Sequence, residues 1–229
     1  MNLTAQGLTV KLLLPIIIFV GLLVPLSAEA EKPRQLDWEH LVPIGGPIDD
    51  PTRELTADQA VELEMIASIR ARRKLGMISD VDEDAEWGVE LEAGFKKQGL
   101  DVEALMARYM EMQVEIRKRN RQIVPTLNGQ LIRMPGYVLP LEFEGESIEE
   151  FLLVPFIGAC IHVPAPPQNQ MVYVQLNQSF AMKDLYEPVW ITGRMKTEAV
   201  DKSLKVIDGD IKVSAGYVLD GIKIEPYTE

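Results

Sequence analysis

The alternating run that begins after residue 130 constrains the fold more than any other feature of this chain. Ile132 and Met134 flank Arg133, and Pro135-Gly136 follows. Tyr137, Leu139, Leu141 and Phe143 then take one face, while Glu142 and Glu144 take the other. Period-two alternation over this length specifies a strand. The apparent change of phase at Pro135-Gly136 predicts a bulge, the device by which a long strand bends around a small barrel. Residues 150–155, 171–176 and 188–196 read as further strands, with Gly193 placed where a bend is useful. Asp208-Gly209 and Asp220-Gly221 sit between aliphatic runs and signal tight turns. The second of these predicts either two short strands, 217–219 and 222–224, or one strand with a bulge. Several short, bent strands after one long strand predict an OB-like Greek-key β-barrel of about five strands over residues 122–229.

The preceding segment has a different period. Thr56 and Gln59 form a capping-box pattern, and Arg72, Arg73 and Lys74 precede Gly76. A second helix is expected over 82–98, stopped by Gly99. Asp101 caps a third, in which Leu105, Tyr109, Met112 and Ile116 share a face. The basic run Arg117, Lys118, Arg119 and Arg121 suits a helix C-terminus. Met106, Met110 and Met112 read as core filler rather than as thioether ligands. Residues 52–121 are therefore a helical segment, and the chain is α+β. Residues 31–51, rich in proline and glycine, form an extended lead-in that Leu36, Trp38 and Leu41 could dock onto a core.

Residues 1–30 read as a cleaved secretory signal peptide rather than as fold. Lys11 precedes an apolar run interrupted by Pro15, Gly21 and Pro25, and Ala28-Glu29-Ala30 is a small-x-small cleavage site. A periplasmic location follows as the expectation. No transmembrane segment is expected in the mature chain, because no later run is apolar enough to span a bilayer. A net charge of −12 opposes binding to nucleic acid and to anionic lipid. A single cysteine forms no internal disulfide.

That cysteine stands in the chain's densest chemistry, Gly158-Ala159-Cys160-Ile161-His162-Val163-Pro164, followed by Pro167-Gln168-Asn169-Gln170. Were residues 159–163 extended, Cys160 and His162 would point to one side with Cα atoms about 7 Å apart. Thiolate and imidazole suit zinc or copper, with Glu142, Glu144 or His40 as candidate further ligands. The same pair could form a Cys-His nucleophile with Asn169 orienting the ring. The third reading is a buried structural thiol beside a hydrogen-bonded histidine. Cys160, His162, Asn169 and Gln170 are the candidate ligand-binding loop, and Cys160, His162 and Glu142 the candidate metal set. Gln168, Asn169 and Gln170 could equally satisfy loop backbone groups. Trp190 and Tyr173 could stack on sugars or bases, or simply pack. No phosphate-binding glycine loop or nucleophile elbow is present.

Several segments resemble the bacterial domain of unknown function 3299. They are Leu36-Asp37-Trp38-Glu39-His40-Leu41-Val42-Pro43, Leu127-Asn128-Gly129 and the run from Pro135 to Phe143. Phe151-Leu152-Leu153-Val154-Pro155-Phe156, the Cys-Ile-His-Val-Pro block, Pro167-Gln168-Asn169-Gln170, Val189-Trp190-Ile191-Thr192-Gly193 and Ala215-Gly216-Tyr217 continue it. These lie in the lead-in and in residues 127–225; no helical motif contributes. The resemblance implies a periplasmic or lipid-anchored protein, often encoded beside ABC-transporter components and in some cases linked to zinc supply. No cysteine stands at the cleavage site for lipidation, which favours a free periplasmic form. The expected function is thus a non-enzymatic periplasmic accessory protein, with envelope transporter components as partners and zinc as the metal to consider. A cysteine- or zinc-dependent enzyme is one alternative. An oligosaccharide- or peptide-binding barrel using the face near Trp190 is the other.

Overall fold

Local capping starts the first and third helices where the sequence places them. In the computed structural model, which describes residues 31–142, 147–160, 163–206 and 209–228, Thr56 and Gln59 exchange side-chain-to-backbone hydrogen bonds of 3.3 and 2.9 Å. Helix α1 (Ala57–Lys74) follows directly. Asp82 precedes α2 (Glu83–Lys97), and Gly99, at φ 76°, turns the chain after it. The Asp101 carboxylate accepts from the Ala104 amide at 3.1 Å and opens α3 (Val102–Arg119). Leu63 and Ile66 of α1, Phe95 of α2 and Leu105, Met106, Tyr109 and Met112 of α3 bury one small core. Met106 and Met112 are indeed filler there, while Met110 is exposed. The predicted signal peptide, residues 1–30, lies outside the described residues.

Among the described residues there are eight strands: β1 (Arg34–Gln35) in the lead-in and, after the helices, β2 (Leu131–Pro140), β3 (Ser147–Val154), β4 (Val172–Ala181), β5 (Pro188–Lys196), β6 (Val200–Val206), β7 (Gly209–Ala215) and β8 (Tyr217–Pro226). Five close into a ring in the order β2-β3-β4-β8-β5 and back to β2. All neighbours are antiparallel except β4 and β8, which run parallel. This is the connectivity of an OB-like barrel, with three helices alongside, so the α+β expectation holds. Between β5 and β8 the chain inserts the antiparallel hairpin β6–β7. Strand β1 lies parallel to β2 beside Ile132 and Arg133.

The bulge predicted at Pro135-Gly136 is not where the barrel bends. Strand β2 pairs with β5 in unbroken register from Leu131 to Tyr137. Ile132, Met134 and Val138 keep one phase and face the barrel interior. Leu139 and Leu141 face outward and are buried too, in a second apolar cluster. Burial on both faces mimics a phase shift in the sequence. The irregularities fall at Thr192/Gly193 on β5 and at Ile148/Glu150 on β3. A Cβ at Gly193 would collide with the Asp220 carbonyl oxygen, so the close approach requires glycine there. Asp220-Gly221 makes no turn: β8 runs through it as one strand, opposite the Gly193 irregularity.

Two apolar layers result. The interior holds Phe151, Leu153, Val172, Val174, Tyr217 and Leu219 among others, and Leu36 and Leu41 of the lead-in join it. The outer layer sets Leu204, Val213 and Ala215 of the hairpin region against Leu139, Leu152, Tyr173 and Val218. Asn169, nearly fully buried, couples helices to barrel. Its side-chain amide donates to the carbonyls of Arg119 (2.8 Å) and Gln122 (3.0 Å), and its backbone amide donates to Asn120 (3.0 Å).

Candidate functional site

The segment carrying Cys160 turns instead of extending. Gly158 and Cys160 both have positive φ, 85° and 69°, and the Val163 amide donates back to the Gly158 carbonyl at 3.1 Å. At Cys160 itself the backbone is left-handed rather than extended, so the strand geometry expected from residue 159 onward does not hold at that residue. Cys160 is 7% exposed and packs in the outer apolar layer. Tyr186 fixes the neighbouring backbone by donating a 2.5 Å hydrogen bond to the Ala159 carbonyl. Desolvation pushes the Cys160 thiol up to about 11, away from the thiolate that nucleophilic attack requires. His162 lies outside the described residues, as does Glu144.

The other candidates are dispersed and locally engaged. Glu142 is exposed and pairs with Lys205 at 2.9 Å. His40 accepts from the Asp37 amide through Nδ1 at 3.0 Å, a cap on the short helical turn Trp38–Leu41. The Asn169 amide is committed to the end of α3, and Gln170 Nε2 donates to the Trp38 carbonyl at 2.8 Å. Among the described residues no group of three or more His, Cys, Asp and Glu side chains could hold a metal ion.

OB-like barrels commonly bind ligands on the face of their second and third strands, between the flanking loops. Here those strands are β3 and β4, and the chain's own hairpin lies over them. Tyr173 is 2% exposed, and the Lys202 ammonium sits 3.8 Å from its ring centroid. Lys202 also stands 4.0 Å from Glu150, and the Lys205 amide donates to the Leu141 carbonyl at 3.0 Å. Tyr173 is therefore a packing residue with no open ring face toward that side.

An open concavity lies elsewhere, at the seam where β2 meets β5. Trp38, Tyr137 and Tyr227 line a pocket of about 200 Å³ with Pro135, Pro155 and Pro188. Gly136 lets Trp38 and Leu153 pack against the strand at its edge: a Cβ there would stand 2.9 Å from Cζ2 of Trp38 and 2.6 Å from Cγ of Leu153. Tyr227 is tied down by its amide, which donates to the Pro188 carbonyl at 3.0 Å. Its ring stacks on Trp190, with centroids 5.5 Å apart and planes 18° apart, and the Arg133 guanidinium lies 4.1 Å over the other ring of the ladder, Trp190. Tyr227 itself remains exposed. Sequence reading singled out Trp190 as a binding candidate, but took Trp38 only as a docking residue and Tyr137 only as a strand residue, and did not single out Tyr227. The available signal was the recurrence of proline beside aromatics, in Pro135-Gly136-Tyr137, Pro155-Phe156, Pro188-Val189-Trp190 and Pro226-Tyr227.

The closed ring, its packed hairpin and the aromatic seam define an OB-like barrel protein with a helical segment. The chain belongs to the family described as protein of unknown function (DUF3299), whose model matches residues 38–226. The matched span takes in the three helices described above. A crystal structure of a DUF3299 family protein from Pseudomonas aeruginosa PAO1 is similar at 26% identity and a TM-score of 0.46. The similarity covers 87% of this chain and 99% of that one. A search of the curated proteins finds no match.

Proposed function

We propose that this chain is a non-enzymatic accessory protein of the bacterial periplasm that acts by binding a partner through the outer surface of its barrel. The observation that carries the reading is the pocket at the β2–β5 seam: it is open, aromatic-lined and preformed, whereas the one thiol is buried. Preformed apolar concavities with a few polar groups are the usual sites of recognition. Export to the periplasm rests on the leader pattern of residues 1–30. Association with an envelope transport system, and through it with zinc supply, rests on the family resemblance alone. A cysteine-dependent enzyme draws no support from a thiol held neutral among apolar side chains.

The test is expression of the full chain with a C-terminal tag in a Gram-negative host, followed by fractionation, N-terminal sequencing and in-cell cross-linking. A periplasmic product starting at Glu31 that cross-links to envelope transport components agrees with the proposal. A cytoplasmic product retaining residues 1–30, or a catalytic turnover abolished by Cys160→Ser, contradicts it.

A further inference from the structure

We infer that the seam pocket binds an extended, proline-rich peptide segment flanked by lysine or arginine, presented by the partner protein. This deepens the reading of the chain as a binding protein and rests on it. The chemistry of the lining selects the ligand. Three aromatic and three proline side chains surround the pocket, with no amide, carboxylate, imidazole or cationic side chain among them. Sugar sites add amide, carboxylate or cationic side chains that bond several hydroxyls at once, and the lining has none of these. The side-chain donors are indole N–H and phenol O–H. A polyproline II segment matches that set, because its carbonyls all accept and its proline nitrogens donate nothing. Such segments dock in aromatic-lined grooves, where their preformed helix loses little entropy.

Charge sets the flanking residues. Asp37 and Glu39 bracket Trp38 and are exposed. Among the described residues neither makes an ion pair, unlike Glu225, which pairs with Lys223 at 2.8 Å and Arg133 at 3.8 Å. With a net charge of −12, the protein attracts a cationic segment and repels an acidic one. The Arg133–Trp190–Tyr227 ladder holds the Tyr227 ring in place before any ligand arrives, which lowers the ordering cost of binding.

The experiment titrates the full mature chain with an acetylated lysine–proline repeat decapeptide, following tryptophan fluorescence and confirming by calorimetry. Controls are lysine–alanine and glutamate–proline decapeptides. The lysine–proline peptide is expected to bind at least about tenfold more tightly than either control, a difference the method resolves easily. Tyr227→Ala, an exposed position, is expected to weaken binding about tenfold or more, and Tyr227→Phe to stay within a few fold. The pair Asp37→Asn and Glu39→Gln is expected to weaken binding and flatten its salt dependence. Equal affinity for the lysine–proline and lysine–alanine peptides overturns the inference, as does the absence of binding to either, or binding unaffected by Tyr227→Ala. In those outcomes, continued cross-linking to envelope components leaves the accessory-protein reading standing. Loss of both removes both.

Discussion

The hydroxyl of Tyr217 donates a 2.6 Å hydrogen bond to the carbonyl of Leu41, joining the last barrel strand to the lead-in across 176 residues of sequence. The same oxygen accepts from the Val124 amide at 2.8 Å, so one buried phenol ties both segments that flank the helices to the barrel. This contact fixes the short turn bearing Trp38, and hence one wall of the seam pocket.

Tyr217→Phe removes both bonds and leaves the Leu41 carbonyl and the Val124 amide unpaired in a buried setting. A loss of about 1–3 kcal/mol is expected in urea unfolding, because unsatisfied buried groups cost their desolvation. The lead-in should also become sensitive to limited proteolysis before the barrel unfolds. A change below the error of the method would show that the hydroxyl is replaceable by water.

Asn169→Ala tests the joint between α3 and the barrel. Two side-chain hydrogen bonds to Arg119 and Gln122 disappear at a site 2% exposed. Stability should fall by about 1–3 kcal/mol. If Asn169 served only as a surface ligand residue, the substitution would leave stability unchanged.

Much of this joint was illegible in the sequence. Capping residues Thr56 and Asp101 announce their helices because each acts within three residues. The strands of the barrel were legible from alternation for the same local reason, whereas Asp220-Gly221, read as a turn signal, lies inside β8. Asn169 meets Arg119 across 50 residues, and nothing in the local pattern of Pro167-Gln168-Asn169-Gln170 marks a helix terminus as its partner. The pocket was illegible on similar grounds: Trp38, Pro155 and Tyr227 come from three distant segments. The buried position of Cys160 was one of three sequence readings, but the left-handed turn at Gly158 and Cys160 was not legible, because it depends on backbone angles that residue type alone does not set.

The thiol gives a pH prediction with a definite sign. Burial pushes Cys160 from an ordinary 9.0 up to about 11. Between those values the unfolded chain has released the proton and the folded chain keeps it. Stability is therefore full below pH 9, falls as pH rises toward 11, and the cysteine's share of the loss is complete above that. The slope due to this group is at most about 1.4 kcal/mol per pH unit. Cys160→Ala should remove that component when stability is compared across the window. A native-state thiol probe at pH 8 should react only as fast as the protein unfolds; rapid labelling would restore a reactive cysteine.

Arg108 makes paired hydrogen bonds with both Asp49 and Glu54, drawing the lead-in onto α3. The guanidinium lowers both carboxyls below their ordinary values of 3.8 and 4.5. Their contribution is present above those values and is lost as pH falls through the lowered ones. The destabilisation caused by Arg108→Ala, measured by thermal unfolding, should be largest near neutral pH and shrink on acidification. High salt should also reduce it, because all three groups reach solvent.

Gly136→Ala probes the pocket itself. The added methyl meets both Leu153 and the Trp38 ring at distances no relaxed Cβ adopts, so both side chains must shift. Crowding of this kind costs about 1–3 kcal/mol. It should also blue- or red-shift tryptophan emission and close the seam, and unchanged emission would place the Trp38 ring elsewhere.

The most direct measurement is chemical-shift mapping of the isotope-labelled mature chain during addition of the lysine–proline decapeptide. Saturable shifts are expected of the Trp38 and Trp190 indole N–H signals and of the amides of Gly136, Tyr137 and Tyr227, with Cys160 and the β6–β7 hairpin unmoved. Shifts centred on Cys160 or on the hairpin, with a silent Trp38 indole, would contradict binding at the seam pocket.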